Sequence, residues 1–285
     1  MSTDWVIRTM RREELAFAAA CTQGEEWVSE DLTTLQGFHI VDPAGCLLAE
    51  VAGAPAGICI ATYYGESGFI GELIVRPDHR GLGLGAALLN AGVSRLQQRG
   101  ARTIYLDGVL KAVDLYERNG FRKLTRSWRF SGSLKGSPHP QVQPMEARHL
   151  PAVFALDREG FGADRRFFLG RRWSLFPELG RVLVEDGQVT GYILGRRGEG
   201  WLSAGPWVVL PSTPAPESLL LSLAQEAENT PVTVGILDVN RAACELVESL
   251  GFTLRPTSPW RMALGPAEHL GASPGCYAIG SAAKG

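Results

Sequence analysis

One segment, residues 68–96, constrains the fold of this chain more than any other. The apolar run 69–75 predicts a strand, and the glycine-rich stretch 80–85, RGLGLG, follows it shortly afterwards. Residues 86–98 then have helical periodicity. The apolar positions on one face of that helix are Leu89, Val93 and Leu96. The sequence therefore predicts a strand, a glycine loop and a helix in direct succession.

The glycine loop predicts an anion site. Three glycines let backbone N–H groups point into one concavity without obstructing side chains, and the helix N-terminus adds positive potential. The loop lacks the GxxxxGK[ST] string of a P-loop. Gly81, Gly83 and Ala86 satisfy a dinucleotide fingerprint, but five residues separate them from the strand and no acidic residue follows at the required distance. We expect a di- or triphosphorylated ligand, and a purely structural turn is the alternative.

A proline-rich segment and an internal repeat divide the chain. Residues 131–144, SGSLKGSPHPQVQP, cannot sustain a helix or a central strand. Residues 106–121 (LDGVLKAVDLYERNGF) align without a gap with 237–252 (LDVNRAACELVESLGF). Both copies predict strand, turn, helix and strand, and in the first copy Asp107-Gly108 would break the strand and Gly120 would end the helix. A long surface loop and a chance likeness of two amphipathic helices are the alternative explanations. The predicted parts are a first domain at 1–133, a linker at 134–144 and a second domain at 145–285.

Composition and charge exclude several classes of function. The net charge is −2 and 45% of the residues are hydrophobic, which is globular composition and poorly suited to neutralising a phosphate backbone. From the charge we expect no nucleic-acid partner. We also expect no membrane span and a cytoplasmic location, because the first 30 residues are too charged for a signal peptide and five scattered cysteines suit a reducing compartment. We also expect no metal, since none of the histidines has HExxH spacing. These are His39, His79, His139, His149 and His269.

Two stretches resemble the signatures of a known family. Residues 75–85, VRPDHRGLGLG, meet every fixed position of V-x-P-x-x-[QR]-x-x-G-x-[GA], the acetyl-CoA signature of the GNAT acetyltransferases. Residues 115–121, LYERNGF, resemble the second GNAT signature, usually LYxxxGF. The resemblance covers the N-terminal half directly and the C-terminal half through the repeat, as in a two-domain bacterial subgroup. It implies an α/β fold of two tandem GNAT-like domains, each with a mixed, mainly antiparallel sheet flanked by helices.

The resemblance implies acetyl-CoA as the co-substrate. The backbone of Leu73, Ile74 and Val75 would pair with the pantetheine amides. The thioester would lie in the cleft between the strands that end near Val75 and Leu106. The loop residues whose amides would hold the pyrophosphate are Arg80, Gly81, Leu82, Gly83, Leu84, Gly85 and Ala86.

The implied reaction is direct attack of an amine on the acetyl carbonyl in a ternary complex. Tyr116 matches the tyrosine that many family members use as general acid, and packing between helix and sheet is its alternative role. Glu72 or Asp107 would take the proton of the amine, directly or through water. Glu25, Trp27 and Asp107 are the candidates for binding the acceptor, for which we expect a small-molecule amine.

The second half departs from the family pattern. Val109 stands where many members have an asparagine that contacts the cofactor, whereas the second copy has Asn240 there but Val247 in place of the tyrosine. The loop of the second copy, 209–216 (VLPSTPAP), has three prolines without N–H groups and no glycine. We therefore predict a degenerate second domain without a cofactor of its own, and a closing strand over 276–279.

The predicted function is an acetyl-CoA-dependent N-acetyltransferase. One alternative is a protein that binds and senses acyl-CoA without turnover, which Val109 favours. Another is a nucleotide-dependent oxidoreductase that uses the glycine loop. The sequence leaves the formation of a homo-oligomer open.

Overall fold

The structure is a computed structural model that describes residues 5–27, 29–228, 230–266 and 270–285. Of the residues named above, His269 lies outside the described residues. The chain divides into two units between Leu124 and Thr125. Residues 262–266 and Lys284 belong to the first unit, and the other described residues after Leu124 belong to the second. The division thus falls before residue 133, where the sequence places the end of the first domain.

The first unit is a mixed sheet with helices on its faces. Strands β1 to β4 are antiparallel neighbours in chain order, and β5 pairs parallel with β4. The elements are β1 (Trp5–Thr9), α1 (Leu15–Gly24), α2 (Leu32–Val41), β2 (Cys46–Val51), β3 (Ala54–Tyr64), β4 (Ser67–Val75), α3 (Leu84–Gln98), β5 (Thr103–Gly108) and α4 (Val113–Arg118). The sheet is mainly antiparallel, as predicted.

Helix α3 fixes the strand that precedes it. Leu89 and Leu96 are fully buried, as their spacing predicts. Gly92 brings the helix backbone close to the sheet, because a Cβ there would lie 2.8 Å from Cδ1 of Ile70 on β4. This packing holds the end of β4 and the start of α3 together, so the loop between them has fixed ends.

The second unit repeats the arrangement. Its strands β7 to β10 are antiparallel neighbours in chain order, and β10 pairs parallel with β11. The division between the units falls inside β6 and β13. The elements are β6 (Arg122–Gly132), β7 (Val142–Pro144), α5 (Leu150–Phe161), α6 (Arg166–Leu175), β8 (Gly180–Glu185), β9 (Gln188–Gly198), β10 (Trp201–Val209), α7 (Glu217–Leu223), β11 (Val232–Leu237), α8 (Arg241–Ser249), β12 (Thr253–Leu254), β13 (Trp260–Leu264) and β14 (Cys276–Ala278).

Two local expectations differ from the structure. The end of the predicted linker forms β7, which pairs with β8, so an edge strand accommodates the proline at its last position. Asp107 and Gly108 continue β5, although an Asp-Gly pair favours a turn. The helix end at Gly120 agrees with expectation, since its φ of 85° is left-handed. Among the described residues, none of the helices has the length and apolar character that a membrane span requires.

Candidate active site

The two central strands of the first unit separate before they end. The parallel pairing of β4 and β5 stops at Ile70 opposite Leu106, whereas β4 continues to Val75 and β5 to Gly108. Within the described part of the chain, no strand pairs with this edge of β4 beyond Ile70. We call the gap between these strand ends the β4–β5 opening. Its edge is backbone that can pair with an extended ligand.

Val75 presents backbone groups to this opening. The N–H of Arg76 donates to the carbonyl of Ala56 on β3, at 2.9 Å. Successive residues of a strand direct their N–H and C=O groups to opposite edges, so those of Val75 face the opening. The Nε of Arg80 donates to the Val75 carbonyl at 2.9 Å, which agrees with this direction.

A β-bulge lies in the middle of the β4 edge. Glu72 and Leu73 together face the single residue Cys59 on β3. Glu72 has a φ of 48°, a left-handed value that is uncommon for a residue with a side chain. Its side chain is buried, with 3% of the residue exposed. The bulge therefore determines where the Glu72 carboxyl lies, and nothing in the residue pattern indicated it.

The glycine loop has the predicted backbone form. Gly81 and Gly83 have φ values of 79° and 83°, and α3 begins directly after Gly83. A Cβ at either glycine would meet no atom within 4 Å, so the space above both residues is open. Amides in such a turn form a concavity for anions. The loop therefore fits a diphosphate.

Tyr116 on α4 lies beside the end of β5. A Cβ at Gly108 would be 3.0 Å from Cδ2 and Cε2 of the tyrosine ring, and the ring meets Phe121 edge to face at 6.1 Å. Burial raises the pKa of Tyr116, and the thiol of Cys59 adds a smaller effect. The phenol therefore keeps its proton at neutral pH. The ring packs as a core side chain does, and this packing holds the hydroxyl in one place.

Cys59 is a fully buried cysteine on β3, opposite the bulge. Burial raises the pKa of its thiol, and Cys46 and Glu72 add smaller effects in the same direction. The sequence contained no signal that this cysteine lies opposite Glu72.

The repeat places two aspartates differently. Asp107 is half-buried in β5, at the end that borders the β4–β5 opening. Its counterpart Asp238 accepts hydrogen bonds from the hydroxyl of Thr125 and from the N–H of Arg126, the latter at 3.2 Å. Asp238 therefore stabilises the junction of β6 and β11.

Glu25 and Trp27 lie in the connection between α1 and α2. The carboxylate of Glu25 contacts Nη2 of Arg80 through one oxygen and Nζ of Lys111 through the other, the latter at 2.6 Å. Burial opposes ionisation, but the hydrogen bonds and charges of Lys111 and Arg80 outweigh it and lower the pKa of Glu25. Trp27 is half-buried, and its backbone N–H donates to the carbonyl of Thr22. Sequence reasoning missed Lys111, whose only signal was a cation in the turn after β5.

The corresponding opening of the second unit is filled by the chain itself. The pairing of β10 and β11 stops at Ala204 opposite Val234. Beyond that point β14 pairs with β10, with Val208 opposite Cys276. The predicted closing strand is therefore confirmed. We call residues 274–279 the strap.

Two family models match this sequence. The model described as the acetyltransferase (GNAT) family matches residues 9–121, and the acetyltransferase (GNAT) domain matches residues 153–272. The chain therefore belongs to the GNAT acetyltransferases and carries two domains of this family in tandem.

Curated relatives share part of the chain. Mycothiol acetyltransferase of Thermobispora bispora is 41% identical over 120 residues, which cover 39% of this chain and 40% of that protein. Thialysine N-epsilon-acetyltransferase of Sus scrofa is 30% identical over 126 residues, covering 37% of this chain and 74% of that protein. The uncharacterized N-acetyltransferase YitH of Bacillus subtilis is 25% identical over 202 residues, covering 68% and 69%. The match therefore spans less than half of the mycothiol acetyltransferase.

Solved structures agree on the fold. A putative acetyltransferase from Pyrococcus horikoshii superposes with a TM-score of 0.79 at 24% identity, covering 99% of this chain and 96% of that one. A tandem GNAT protein from the clavulanic acid biosynthesis pathway gives a TM-score of 0.64 at 12% identity, covering 93% and 100%. The expected fold of two GNAT-like domains is confirmed.

Proposed function

We propose that this chain transfers the acetyl group of acetyl-CoA to the amine of a small molecule. The observation that carries the proposal is the β4–β5 opening, which ends at a glycine loop with open space above it. An extended ligand with amide groups and a diphosphate fits such an edge and such a loop in that order.

The cofactor would lie along the edge of β4. The backbone of Leu73, Ile74 and Val75 would pair with the pantetheine amides, and Arg80 would release the Val75 carbonyl for this purpose. The amides of residues 80–86 would hold the pyrophosphate. The thioester would then lie near the bulge, because the bulge is where β4 and β5 have separated.

Tyr116 would act as the general acid. Because burial raises the pKa of Tyr116, the phenol is protonated when the CoA sulfur leaves and can donate to it. The bond from sulfur to the acetyl carbon breaks as the bond from nitrogen to that carbon forms. The proton of the phenol goes to the sulfur. The nitrogen, cationic after its attack, releases its second proton to the solvent as the amide forms, and the phenol regains a proton from the solvent.

Glu72 or Asp107 would take the proton of the attacking amine. An amine is mostly protonated at neutral pH, so it must lose one proton to attack. Glu72 is supported by its strained backbone at the bulge, since such strain often marks functional positions. Asp107 borders the same opening from the other strand and would meet the acceptor there.

The acceptor is proposed to be a small molecule with a primary amine. The support is the likeness to proteins named mycothiol acetyltransferase and thialysine N-epsilon-acetyltransferase. Trp27 would contribute an apolar wall to the acceptor pocket. Glu25 would lie at the boundary between the acceptor and the cofactor phosphates, because Arg80 and Lys111 already engage its carboxylate.

Titration calorimetry with acetyl-CoA, NAD and ATP, followed by an amine-library assay of free CoA release, tests this function. We expect binding of acetyl-CoA alone and thiol release with at least one amine. Binding of NAD would instead support an oxidoreductase. Acetyl-CoA binding without thiol release from any amine would support the sensor, which the valine at position 109 favours.

A further inference from the structure

The strap occupies the edge of β10 that corresponds to the edge of β4 at the β4–β5 opening, with which none of the described strands pairs. The N–H of Leu210 donates to Thr190 on β9, at 2.7 Å, so Val209 faces the other edge of β10. The N–H of Val209 donates to the carbonyl of Gly275 in the strap, at 2.9 Å. Val209 ends β10 as Val75 ends β4, and its edge-facing N–H is bonded to the strap.

The strap is also held from its other side. The N–H of Ile279 donates to the carbonyl of Gly235 on β11, at 2.9 Å. The side-chain amide of Asn240 donates to the carbonyls of Pro274 and Cys276, each at 3.1 Å. Asn240 is buried and also caps α8, since its side-chain oxygen accepts from the backbone N–H of Ala243, the third residue of the helix. The strap therefore bonds to both strands and to the helix that follows them.

Two glycines allow this close approach. A Cβ at Gly275 would collide with the carbonyl oxygen of Val209, and a Cβ at Gly205 would collide with that of Ile279. Gly205 has a φ of 142°, which also disfavours any other residue. The sequence of both β10 and the strap is thus matched to their contact.

We propose that the strap is the built-in ligand of the second unit, an extended peptide in the place of a pantetheine arm. Pantetheine is an extended chain with two amide groups, so a peptide strand offers the same donors and acceptors to the edge of β10. Asn240 serves to hold this peptide. The comparison with pantetheine rests on the proposed function of the first unit, but the strap and its contacts do not.

Hydrogen exchange on the full chain tests the strap. Gly275→Ala should increase exchange at the amides of Val209 and Ile279 about tenfold, because the added methyl group pushes the strap from β10. Gly170→Ala is the matched control, since the nearest atom to its new Cβ is 3.7 Å away on Phe154. Unchanged exchange at Val209 in the Gly275 variant would overturn the proposal.

A second variant guards against misfolding. Asn240→Ser keeps a capping side chain for α8 but removes the amide donors, so exchange should rise in residues 274–279 and stay slow in α8. Unchanged protection of the strap from exchange in this variant would contradict the role of Asn240.

Titration of the wild-type chain with acetyl-CoA should show one equivalent of acetyl-CoA bound per chain. Two equivalents would overturn the strap as a built-in ligand, whereas none would overturn the function proposed for the first unit and leave the exchange test intact.

Discussion

The two units share one fold, but the corresponding openings in their sheets differ. In the first unit none of the described strands pairs with the edge of β4 beyond Ile70, and in the second the strap pairs with the corresponding edge of β10. The loops that follow these strands differ in the same sense. One has glycines with left-handed backbone, and the other has prolines that donate no N–H.

This difference indicates that the edge and the loop act together. An open edge would serve a coenzyme only if the loop beyond it could hold phosphates, and a loop with three prolines and no glycine offers fewer N–H groups for this. An unpaired central strand would expose backbone groups that must be satisfied. In the second unit the strap satisfies them, so that unit can be rigid without a cofactor.

The largest expected effect separates the two loops. Gly83→Asp places a carboxylate among the proposed phosphate donors, so the Kd for acetyl-CoA should rise at least about 100-fold, roughly 3 kcal/mol. Ser212→Asp, in the exposed proline loop of the second unit, is the matched control and should change the Kd less than about twofold. Calorimetry measures both. An equal loss from the two variants would erase the distinction between the loops.

The next effect concerns Tyr116, whose counterpart in the repeat is Val247. Tyr116→Phe keeps the ring packing but removes the proton donor, so kcat should fall about 10- to 100-fold while the Kd for acetyl-CoA stays nearly constant. Tyr63→Phe serves as control, because the contact of its ring with Arg99 does not need the hydroxyl. Full turnover in the Tyr116 variant would reduce this tyrosine to a packing residue.

The pH profile tests the same residue independently. Because the pKa of Tyr116 is raised above the ordinary tyrosine value of about 10, the phenol keeps its proton at pH 10. The rate should therefore rise with pH as the acceptor amine loses its proton, and should show no decline up to about pH 10. Initial rates measured across this pH range check the expectation, and circular dichroism at each pH serves as the control that the protein stays folded. A decline centred below pH 10 that vanishes in Tyr116→Phe would contradict the raised pKa.

Paired aspartate variants sharpen the comparison further. Asp107→Asn should lower kcat about tenfold, because the proposed proton acceptor is lost. Asp238→Asn should instead lower the stability of the second unit by about 1 kcal/mol, because the hydroxyl of Thr125 and the N–H of Arg126 lose a charged acceptor. Kinetics and thermal melting distinguish these results. An unchanged kcat in Asp107→Asn, or an equal fall of kcat in Asp238→Asn, would contradict this division of roles.

Sequence reasoning reached the features that local residue types determine. The glycine loop, the helical face of α3, the exit at Gly120 and the closing strand follow from backbone preferences and spacing. It missed features that depend on pairing between distant segments. The bulge at Glu72 arises from the register of β4 against β3, and the position of Cys59 follows from that register. The bonds of Asn240 to the strap join residues more than thirty positions apart, which no local pattern encodes.

The smallest effect concerns Glu25, which joins the two sides of the β4–β5 opening. Its carboxylate pairs with Arg80 from the loop after β4 and with Lys111 from the turn after β5, and offsets part of their positive charge. Glu25→Gln removes the negative charge beside Arg80 and Lys111, so both cations can attract the highly anionic coenzyme more strongly. The Kd for acetyl-CoA should therefore fall about threefold at low salt and return toward the wild-type value at high salt. Calorimetry at two salt concentrations measures this, with Glu13→Gln as a control. An unchanged Kd together with a higher KM for the amine would assign Glu25 to acceptor binding alone. Arg80 and Lys111 would then contribute nothing measurable to the binding of the coenzyme phosphates.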